Sequence, residues 1–490
     1  MQRNPSRIGR RGFLQTGAAA AAALALDSVA ASAAAGPSDQ PTYREPARNV
    51  PVVDDSDVVV CGAGPAGVCA AVAAARAGAT TRLLEVNGCL GGVWTAGLLS
   101  WLLDVDNKPG LMREIIERLR QLGAEAGYPE YSPSRAVGYR PEPMKLLLEQ
   151  MCVEAGVKVQ LHTRVAAAAK DERGRLTMAV TESKSGRQAF SGKVFVDATG
   201  DGDLAAQAGC AFDYGREGSG QTQPMSMIVL LVGLDPDRVA LFVRGLAEPR
   251  GERNPKGRLL AEMERAGVTP SYTQPTLFYL RDGLFCLMAN HEYDVSAMDA
   301  AAISQATLRA RAEVHRLVNA LRALGEPWGR AQIVATPEHM GVREGRRVRG
   351  LYCVSQEDLA RGAQHDDAVC RVTFPVDVHS TDPSKDKGIT KESVRAKPYD
   401  IPFRALLARD VENLLLAGRL ISGDFIAHSS YRVTGNAAAM GEAAGVAAAL
   451  AAKSGVLPRQ VPWKEIREGL EQARRRGTPE GPGNHKLGQQ

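Results

Sequence analysis

The sequence has no apolar run long enough to cross a membrane. The short run from Ala18 to Leu26 stops at Asp27, well below the roughly twenty residues that a membrane-spanning helix needs. Arg10-Arg11 precedes this run and Ala31-Ser32-Ala33 follows it, a pattern typical of a cleavable export signal of the twin-arginine type. We therefore expect export to the periplasm or the extracellular space, with no stable membrane span after cleavage.

The sequence also lacks the spacings that bind metals or form a disulfide framework. Its eight cysteines include no Cys-x-x-Cys pair and no cysteine at metal-ligand spacing from a histidine, so we expect no metal site. Cys61, Cys69 and Cys286 fall inside predicted strands or helices, and the cysteines as a set are expected to be small core residues. Cys89, in a loop, is the one candidate for a reactive thiol, although simple burial is the favoured interpretation.

Little net charge is present for a chain of 490 residues. The formal net charge is +5, and the first 33 residues contribute +3 of it through four arginines and one aspartate, which leaves +2 for the remainder. A nucleic-acid-binding surface would need a basic patch that this balance does not indicate. The hydrophobic content of 44% is that of a globular protein with two or three domains.

What the sequence does contain is a complete dinucleotide-binding βαβ unit. An apolar strand, Val58–Cys61, leads into the glycine turn Gly62–Gly67, an alanine-rich helix follows, and Leu83–Glu85 closes the unit. The first glycine allows the tight turn, the second lets the backbone approach a pyrophosphate, and the third lets the helix pack on the sheet. The final glutamate stands where a carboxylate accepts ribose hydroxyls. A chance glycine turn in an ordinary parallel sheet is the alternative.

Later segments complete a two-part cofactor site. A second glycine-rich loop, Leu90–Gly97, falls where the chain would pass the far end of a dinucleotide, and an apolar strand then opens into the acidic turn Ala198–Asp203. After a long insertion the chain returns with the buried strand Leu414–Leu416 and a small-residue helix from about Asn436 to Ala452. An export signal of the twin-arginine type on such a fold favours a tightly held flavin over a diffusible nicotinamide.

Together these segments resemble a known family, the FAD-dependent oxidoreductases of the glutathione-reductase-like superfamily, and within it the bacterial group with a Leu-Gly-Gly loop. The resemblance runs in order through most of the chain from Val52 to Ala452. It implies an α/β fold in which a Rossmann-like FAD-binding domain of the glutathione-reductase type carries an inserted α+β substrate or cap domain. Besides the glycine turn and its glutamate, the matching motifs are Leu90-Gly91-Gly92, Thr95-Ala96-Gly97, Val196–Asp203, Thr222–Ser226, Arg343-Glu344, Arg346-Arg347, Phe374–His379, Asn413–Arg419, Ala427-His428 and Arg432.

The resemblance implies that FAD lies extended across the first domain. Its pyrophosphate would lie at the glycine turn and its ribose on Glu85, with the backbone around Val165 near the adenine and Asp201 near the ribitol. Independently, a helix beginning near Asn436 would direct its positive end at the flavin edge where negative charge accumulates on reduction. The predicted cofactor-binding residues are Gly62, Gly64, Pro65, Ala66, Gly67, Glu85, Gly91, Gly92, Val165, Asp201, Gly418, Arg419 and Asn436.

The segments between the motifs predict the domain organisation. From residue 224 to residue 397, strands occur with an amphipathic helix around Ala301 to Leu324, a pattern that favours a separate domain. The predicted organisation is a signal peptide at 1–35, a linker at 36–51, a discontinuous FAD-binding domain at 52–223 and 398–455, a substrate or cap domain at 224–397, and a C-terminal helix with a disordered tail at 456–490.

Three residues are candidates for the chemistry on the substrate side. An alcohol donor must lose a proton, and histidine is the usual base at neutral pH. His428, between the returning strand and the flavin-facing helix, is the first candidate, and His379, beside Asp377, is the second; a structural histidine is the alternative for either. Arg432 would bind an anionic or hydroxyl-rich substrate or support reduced flavin, unless it only pairs with a carboxylate. The dense arginines at 343, 346 and 347 are expected on a wet surface or in a cleft.

Three functions are compatible with these residues. The leading hypothesis is an exported flavoenzyme that transfers a hydride to flavin N5 from a small organic donor, for which carbohydrates and polyols are candidate classes. The second is a flavin-binding electron-transfer protein without a small-molecule substrate of its own. The third, a nicotinamide-dependent dehydrogenase, is disfavoured by the second glycine loop and the returning strand. We therefore expect an FAD enzyme with a small-molecule substrate, an electron acceptor and no nucleic-acid partner.

Overall fold

The computed structural model describes residues 42–126, 136–246 and 254–476. The predicted export signal at residues 1–35 and the predicted disordered tail from residue 477 lie outside the described residues, and both stay predictions. Residues 42–45 belong to a unit of their own without regular secondary structure, whereas the chain from Pro46 onward forms a second unit that holds the strands and helices.

Strands are short except at the centre of the largest sheet. In the described ranges they are β1 (Val52–Cys61), β2 (Thr81–Leu84), β3 (Trp101–Leu102), β4 (Glu125–Ala126), β5 (Val137–Tyr139), β6 (Lys158–Gln160), β7 (Arg164–Lys170), β8 (Leu176–Ser183), β9 (Gly186–Asp197), β10 (Phe212–Asp213), β11 (Ile228–Val232), β12 (Thr276–Arg281), β13 (Leu284–Met288), β14 (Gln332–Ala335), β15 (Arg347–Val348), β16 (Ala368–Val372), β17 (Val378–His379), β18 (Ile389–Thr390), β19 (Tyr399–Pro402) and β20 (Leu414–Leu416).

Helices connect and cover these strands. They are α1 (Pro65–Arg76), α2 (Leu111–Gln121), α3 (Pro141–Ala155), α4 (Asp203–Gln207), α5 (Pro236–Val239), α6 (Pro255–Arg265), α7 (Ala300–Ala323), α8 (Gln356–Arg361), α9 (Phe425–Tyr431), α10 (Thr434–Ser454) and α11 (Trp463–Arg476). Within the described part of the chain, no helix combines the length and apolar character that crossing a membrane would require.

The largest sheet has seven strands and a parallel centre. β6, β2, β1 and β9 lie side by side in parallel, and β20 adds to β9 in the same direction. The first half of β9 pairs with β8 in antiparallel register, on the same edge of β9 that carries β20 further along. β7 in turn pairs with β8. The buried run Val58–Cys61 in the middle of this sheet suits a parallel strand covered on both faces.

Two helices of small residues cover the sheet and cross each other closely. α10 is buried along almost its whole length, and its small side chains let it lie directly on α1. A Cβ at Gly441 would overlap the carbonyl oxygen of Ala66, and a Cβ at Gly445 would overlap that of Ala70. Only glycine therefore permits this crossing, which attaches the returning C-terminal segment to the first βαβ unit.

A second sheet, in the order β12-β13-β11-β14, is antiparallel and has its own hydrophobic core. Alternate side chains on one face, such as Val229 and Leu287, pack in the same core as the buried stripe of α7. The other face, with Phe278 and Cys286, packs on Leu98 and Trp101, which follow the second glycine loop. This contact places the second sheet directly beside the predicted cofactor region.

Most of the sequence-based element assignments are confirmed. The βαβ unit is β1, α1 and β2, and the strand predicted at Leu414–Leu416 is β20. The helix predicted from about Asn436 begins at Thr434. A mixed α/β fold around a parallel Rossmann-like sheet is thus confirmed, whereas the narrower glutathione-reductase type and the domain boundaries stay predictions.

The cysteines follow the prediction with one exception. All eight are free, six are buried, and Cys370 is partly buried against the core. Burial raises the pKa of the Cys89 thiol, so this group stays protonated at neutral pH. Cys353 is exposed, and a core position was wrong for it because it lies in the connection between β15 and α8.

Because α1 and α10 cross closely, one added methyl group at their contact should strongly lower the stability of the protein. Gly441→Ala forces the two backbones apart, and we expect it to lower the free energy of unfolding by about 1–3 kcal/mol. Ser454→Ala, at the exposed end of the same helix, should change it by less than about 0.5 kcal/mol. Thermal and denaturant unfolding of the two variants would test this, and equal stabilities would contradict it.

Candidate cofactor and active site

The glycine turn leaves open space at one position only. A Cβ at Gly62, which has a φ of +91°, would lie 2.5 Å from the carbonyl oxygen of Ala198, and a Cβ at Gly67 would overlap the carbonyl oxygen of Gly62. In contrast, a Cβ at Gly64 would meet no atom within 4 Å. Gly62 and Gly67 are therefore required by the fold itself, whereas Gly64 leaves its backbone accessible.

The N-terminus of α1 is free to bind an anion. Gly64 caps the helix without a side-chain hydrogen bond, Pro65 occupies the first turn, and no acidic residue lies there. The first backbone N–H groups, including that of Ala66, thus face outward without an intrahelical acceptor. The second glycine loop adjoins this end, because Gly91 donates its N–H to the carbonyl of Ala63 at 2.8 Å and a Cβ at Gly92 would lie 2.9 Å from the Cα of Gly64.

Glu85 is buried and joins the glycine turn to the next loop. Its Oε2 accepts the N–H of Ala63 at 2.5 Å, and its Oε1 accepts both the N–H and the side-chain amide of Asn87. Val165, predicted near the adenine, is buried in β7 shortly after Thr163, whose N–H donates to the carbonyl of Glu85 at 2.8 Å. The structure therefore brings Glu85 and Val165 close together, while the ribose and adenine contacts stay predictions.

The acidic turn after β9 is organised by the buried carboxylate of Asp197. It accepts the N–H and hydroxyl of Thr199 and the N–H of Ala205, and desolvation raises its pKa to about 6. Arg419 crosses this turn and donates to Asp201 at 2.7 Å, with its guanidinium about 3 Å from the Cβ position of Gly200. Gly418 lies against the start of α1, since its Cβ position is 3.2 Å from Ala66.

Unpaired polar atoms surround the start of α10. Both amide atoms of Asn436 and the hydroxyl of Thr434 are buried and have no hydrogen-bond partner within the described structure. A buried polar group without a partner is costly, so these atoms are suited to a polar ligand. The open backbone at Gly64, the free N-terminus of α1 and these unpaired atoms together fit FAD, with the flavin ring toward α10.

A chain of buried polar groups lies on the substrate side. His379 Nε2 is 3.4 Å from a carboxylate oxygen of Asp377, and His379 Nδ1 is 2.9 Å from His291 Nε2. His291 Nδ1 in turn lies 3.1 Å from the hydroxyl of Tyr293. Tyr272 stacks beside both histidines, and its own buried hydroxyl has no partner among the described residues. We call these five residues the histidine relay.

Both histidines of the relay are neutral at neutral pH. Burial lowers the pKa of His379 to about 4, with Arg343 adding to the effect and Asp377 opposing it. Burial also lowers the pKa of His291 far below its usual range. Asp377 stays ionised, because hydrogen bonding to His379 and the charges of Arg432 and Arg343 outweigh its desolvation and lower its pKa.

His428 lies apart from this relay. It is completely buried in α9, and neither ring nitrogen makes a well-formed hydrogen bond. Burial and the charges of Arg347, Arg432 and Arg419 lower its pKa, although the backbone of Arg419 opposes the effect. Gln223 connects the two candidate histidines, since it accepts the N–H of His379 and donates to Ser429 beside His428.

Arg432 ends α9 and points to the relay. Its guanidinium donates to the carbonyl oxygen of Asp377 at 2.8 Å and lies 3.9 Å from the Asp377 carboxylate. The predicted catalytic residues Arg432 and His379 are therefore brought together, and the N–H of Arg432 also donates to the carbonyl oxygen of His428 at 3.2 Å. Arg432 contacts Asp377 of the relay and is two residues before Thr434 in the chain. The relay and the start of α10, where polar atoms have no partner, therefore share one boundary.

One arginine prediction was wrong. Arg347 is only 1% exposed, because it donates to Glu344 and to the carbonyl oxygens of Gly215 and Gly423. Full pairing explains how a guanidinium is held in the core instead of on a wet surface. Arg343 and Arg346 are half-buried, in agreement with a cleft.

His291, Tyr272 and Tyr293 were not found from the sequence. The available signal was that Asn290-His291 directly follows the apolar strand β13, where a polar pair must leave the core or find partners. In the described parts of the chain, no group of three or more His, Cys, Asp or Glu side chains is arranged to hold a metal ion.

Comparisons with known proteins give one family match. The family model described as FAD dependent oxidoreductase matches residues 57–470. No curated protein matches significantly.

Several solved structures are similar at low identity. A geranylgeranyl bacteriochlorophyll reductase-like protein of Thermoplasma acidophilum is 12% identical over 86% of this chain and 84% of its own, with a TM-score of 0.41. The p-nitrophenol 4-monooxygenase of Pseudomonas putida is 11% identical over 85% and 84%, with a TM-score of 0.43. The myxobacterial chondrochloren halogenase is 12% identical over 86% and 80%, with a TM-score of 0.41. These scores are too low to bear on the reaction.

Variants of the glycine turn should separate effects on folding from effects on FAD binding. Gly64→Ala meets open space and a permitted backbone conformation, so the apoprotein should be as stable as the wild type or slightly more stable. The added methyl group should nevertheless lower FAD affinity about tenfold or more, from a steric cost of about 1–3 kcal/mol. Gly67→Ala is the matched control, and it should destabilise the apoprotein itself. Reconstitution with FAD, followed by fluorescence, and apoprotein melting would measure both; unchanged affinity in Gly64→Ala would contradict the assignment.

Proposed function

This chain belongs to the FAD-dependent oxidoreductase family, and from that premise we propose that it oxidises a small organic donor by hydride transfer to FAD. It is an enzyme, its cofactor is FAD, and it acts on a substrate and an electron acceptor. The observation that carries the proposal is the shared boundary between the histidine relay and the start of α10. A donor held there would lie between the flavin and a set of groups able to take its proton.

Residues from two segments of the chain would bind the cofactor. The α1 N-terminus and Gly64 would hold the pyrophosphate, Glu85 the ribose, and Gly418-Arg419 with Asp201 the middle of the molecule. Asn436 and Thr434 would meet the flavin ring with their unpaired atoms. Bound FAD would accept the hydride from the donor carbon.

The histidine relay can take the proton that the donor hydroxyl loses. In one assignment of tautomers, Tyr293 donates to His291, His291 to His379, and His379 to Asp377, so every bond runs in the same direction. A proton that enters at the Tyr293 oxygen would move the hydroxyl proton of Tyr293 to His291 Nδ1. The proton on His291 Nε2 would then move to His379 Nδ1. It would come to rest on His379, where Asp377 stabilises the imidazolium. The donor O–H and C–H bonds break, and a carbonyl forms.

We favour His379 over His428 as the proton acceptor. His379 is oriented by a carboxylate and linked to further polar groups, as a general base requires. His428 has no such orienting partner in the described structure, and three arginines oppose its protonation. Its position next to α10 suits a role in shaping the flavin pocket.

The finer predictions belong to this proposal. We propose a carbohydrate-like or polyol-like donor, because the relay needs a hydroxyl proton, and export through the signal at residues 1–35. We also propose that the domain organisation is of the glutathione-reductase type, with residues 224–397 covering the substrate. The separate core of the second sheet and its packing against Leu98 and Trp101 support that role.

Anaerobic reduction of the flavin tests the proposal directly. The purified protein should be yellow, and one of a set of pooled alcohols, sugars and amines should bleach it. Protein that retains no FAD, or flavin that a protein partner reduces but no organic donor does, would overturn the proposed reaction.

The relay predicts how variants and pH affect that reduction. His379→Asn should slow flavin reduction about 100-fold or more, within the usual contribution of a general base, and Tyr293→Phe should also slow it. His315→Asn, at an exposed position of α7, is the control and should leave the rate unchanged. Because the pKa of His379 is lowered to about 4, kcat/KM should stay constant from pH 8 to pH 5 and fall as the pH drops through about 4. Wild-type rates for His379→Asn would remove this residue from the mechanism.

A further inference from the structure

Three cationic side chains, those of Arg432, Arg343 and Lys256, lie near the carboxylate of Asp377. Arg432 lies 3.9 Å from it, and Arg343 contributes to its low pKa. Lys256, near the start of α6, interacts electrostatically with both Asp377 and Arg244. The next carboxylate, Glu344, is already paired with Arg347 at 2.5 Å. The relay histidines are neutral, and the carboxylates of Glu313 and Asp386 act on Tyr293 at the other end of the relay. Within the described ranges, the charges of Arg343 and Lys256 are therefore not compensated by a carboxylate at salt-bridge distance.

These cations are held by neutral acceptors. Arg343 donates to the carbonyl oxygen of Pro224, to the hydroxyl of Ser226 and, at 3.9 Å, to the sulfur of Met288. Among the described residues, the amine of Lys256 makes one hydrogen bond, to the side-chain oxygen of Gln274 at 3.5 Å. Burial lowers the pKa of Lys256 and that of Arg343, the latter to about 10. Cations that are buried without an anion destabilise a protein, and a bound anion would relieve that cost.

Asp377, at the centre of this cluster, is partly accessible. Asp377 keeps 27% of its side-chain surface accessible, yet desolvation by the surrounding protein is the largest single influence on its pKa. Tyr272, with a completely buried hydroxyl that has no partner in the described ranges, is an available hydrogen-bond donor beside the same residues.

We propose that Arg343, Lys256 and Tyr272 bind a carboxylate of the donor, which makes the substrate a small hydroxylated organic acid, such as a hydroxy acid or a sugar acid. This inference rests on the proposed function, since it places the carboxylate beside the relay that takes the hydroxyl proton. A guanidinium and an ammonium group, with a hydroxyl, form the usual donor set for a carboxylate. A neutral sugar would leave the charges of Arg343 and Lys256 uncompensated.

Equilibrium binding to the FAD-loaded enzyme tests the inference without turnover. Propionate and propionamide have the same shape and differ in charge, and neither has a hydroxyl to oxidise. At constant ionic strength, calorimetry and the change in the flavin spectrum should show propionate binding at least tenfold more tightly than propionamide. Equal affinities, or no binding of propionate, would overturn the inference.

Variants locate the site. Lys256→Met and Arg343→Met should each weaken propionate binding at least tenfold, with Arg343→Lys recovering part of the loss. Lys464→Met, at an exposed position of α11, should bind propionate as the wild type does. FAD content and melting temperature of each variant identify those that fail to fold, and Lys256→Met, at a half-buried position, keeps the test available if Arg343→Met is unstable. Wild-type affinity in a folded Lys256→Met variant would overturn the assignment of that residue.

The two proposals fail in different ways. If propionate binds as expected but no organic donor reduces the flavin, the anion site stands and the proposed reaction does not. If neutral polyols reduce the flavin and propionate does not bind, the reaction stands and the carboxylate site is excluded.

Discussion

The contact between α1 and α10 is the constraint on which the site depends. The two helices are separated by more than 350 residues of chain, and glycine at positions 441 and 445 lets their backbones meet. This contact brings Gly418, Arg419 and the start of α10 to the glycine turn of the first βαβ unit. In the proposed FAD site, it joins the residues that would hold the pyrophosphate to those that would meet the flavin ring.

The same packing sets the electrostatics of the active region. Because α9 leads directly into α10, fixing α10 also fixes Arg432 beside Asp377. Around this point burial makes the histidines neutral, while guanidinium groups remain charged because their intrinsic pKa is so high. A candidate proton acceptor, His379, and cations without a paired carboxylate therefore occur in the same region of the described structure. The first suits the removal of a hydroxyl proton, and the second suits an anionic group on the same molecule.

Prediction from sequence succeeded where the signal was local. The glycine turn has φ and contact requirements that only glycine meets at Gly62 and Gly67, so its spacing indicated the fold directly. The returning strand and the small-residue helix were likewise recognised from composition. Arg347 was misplaced because a dense run of arginines is usually solvated, and the partners that pay for its burial, Glu344 and two backbone carbonyls, include groups more than 70 residues away.

The sequence by itself determined the nucleotide-binding βαβ unit, because its strand, glycine turn, helix and carboxylate lie close together along the chain. The cofactor class came from the resemblance that its motifs carry. Only the tertiary structure decided which polar residues act together on the substrate side. His291 meets His379 across 88 residues, and Lys256 approaches Asp377 across more than a hundred. Such pairs have no periodicity or spacing that a sequence records, since they arise from how the segments beside the second sheet pack against β17.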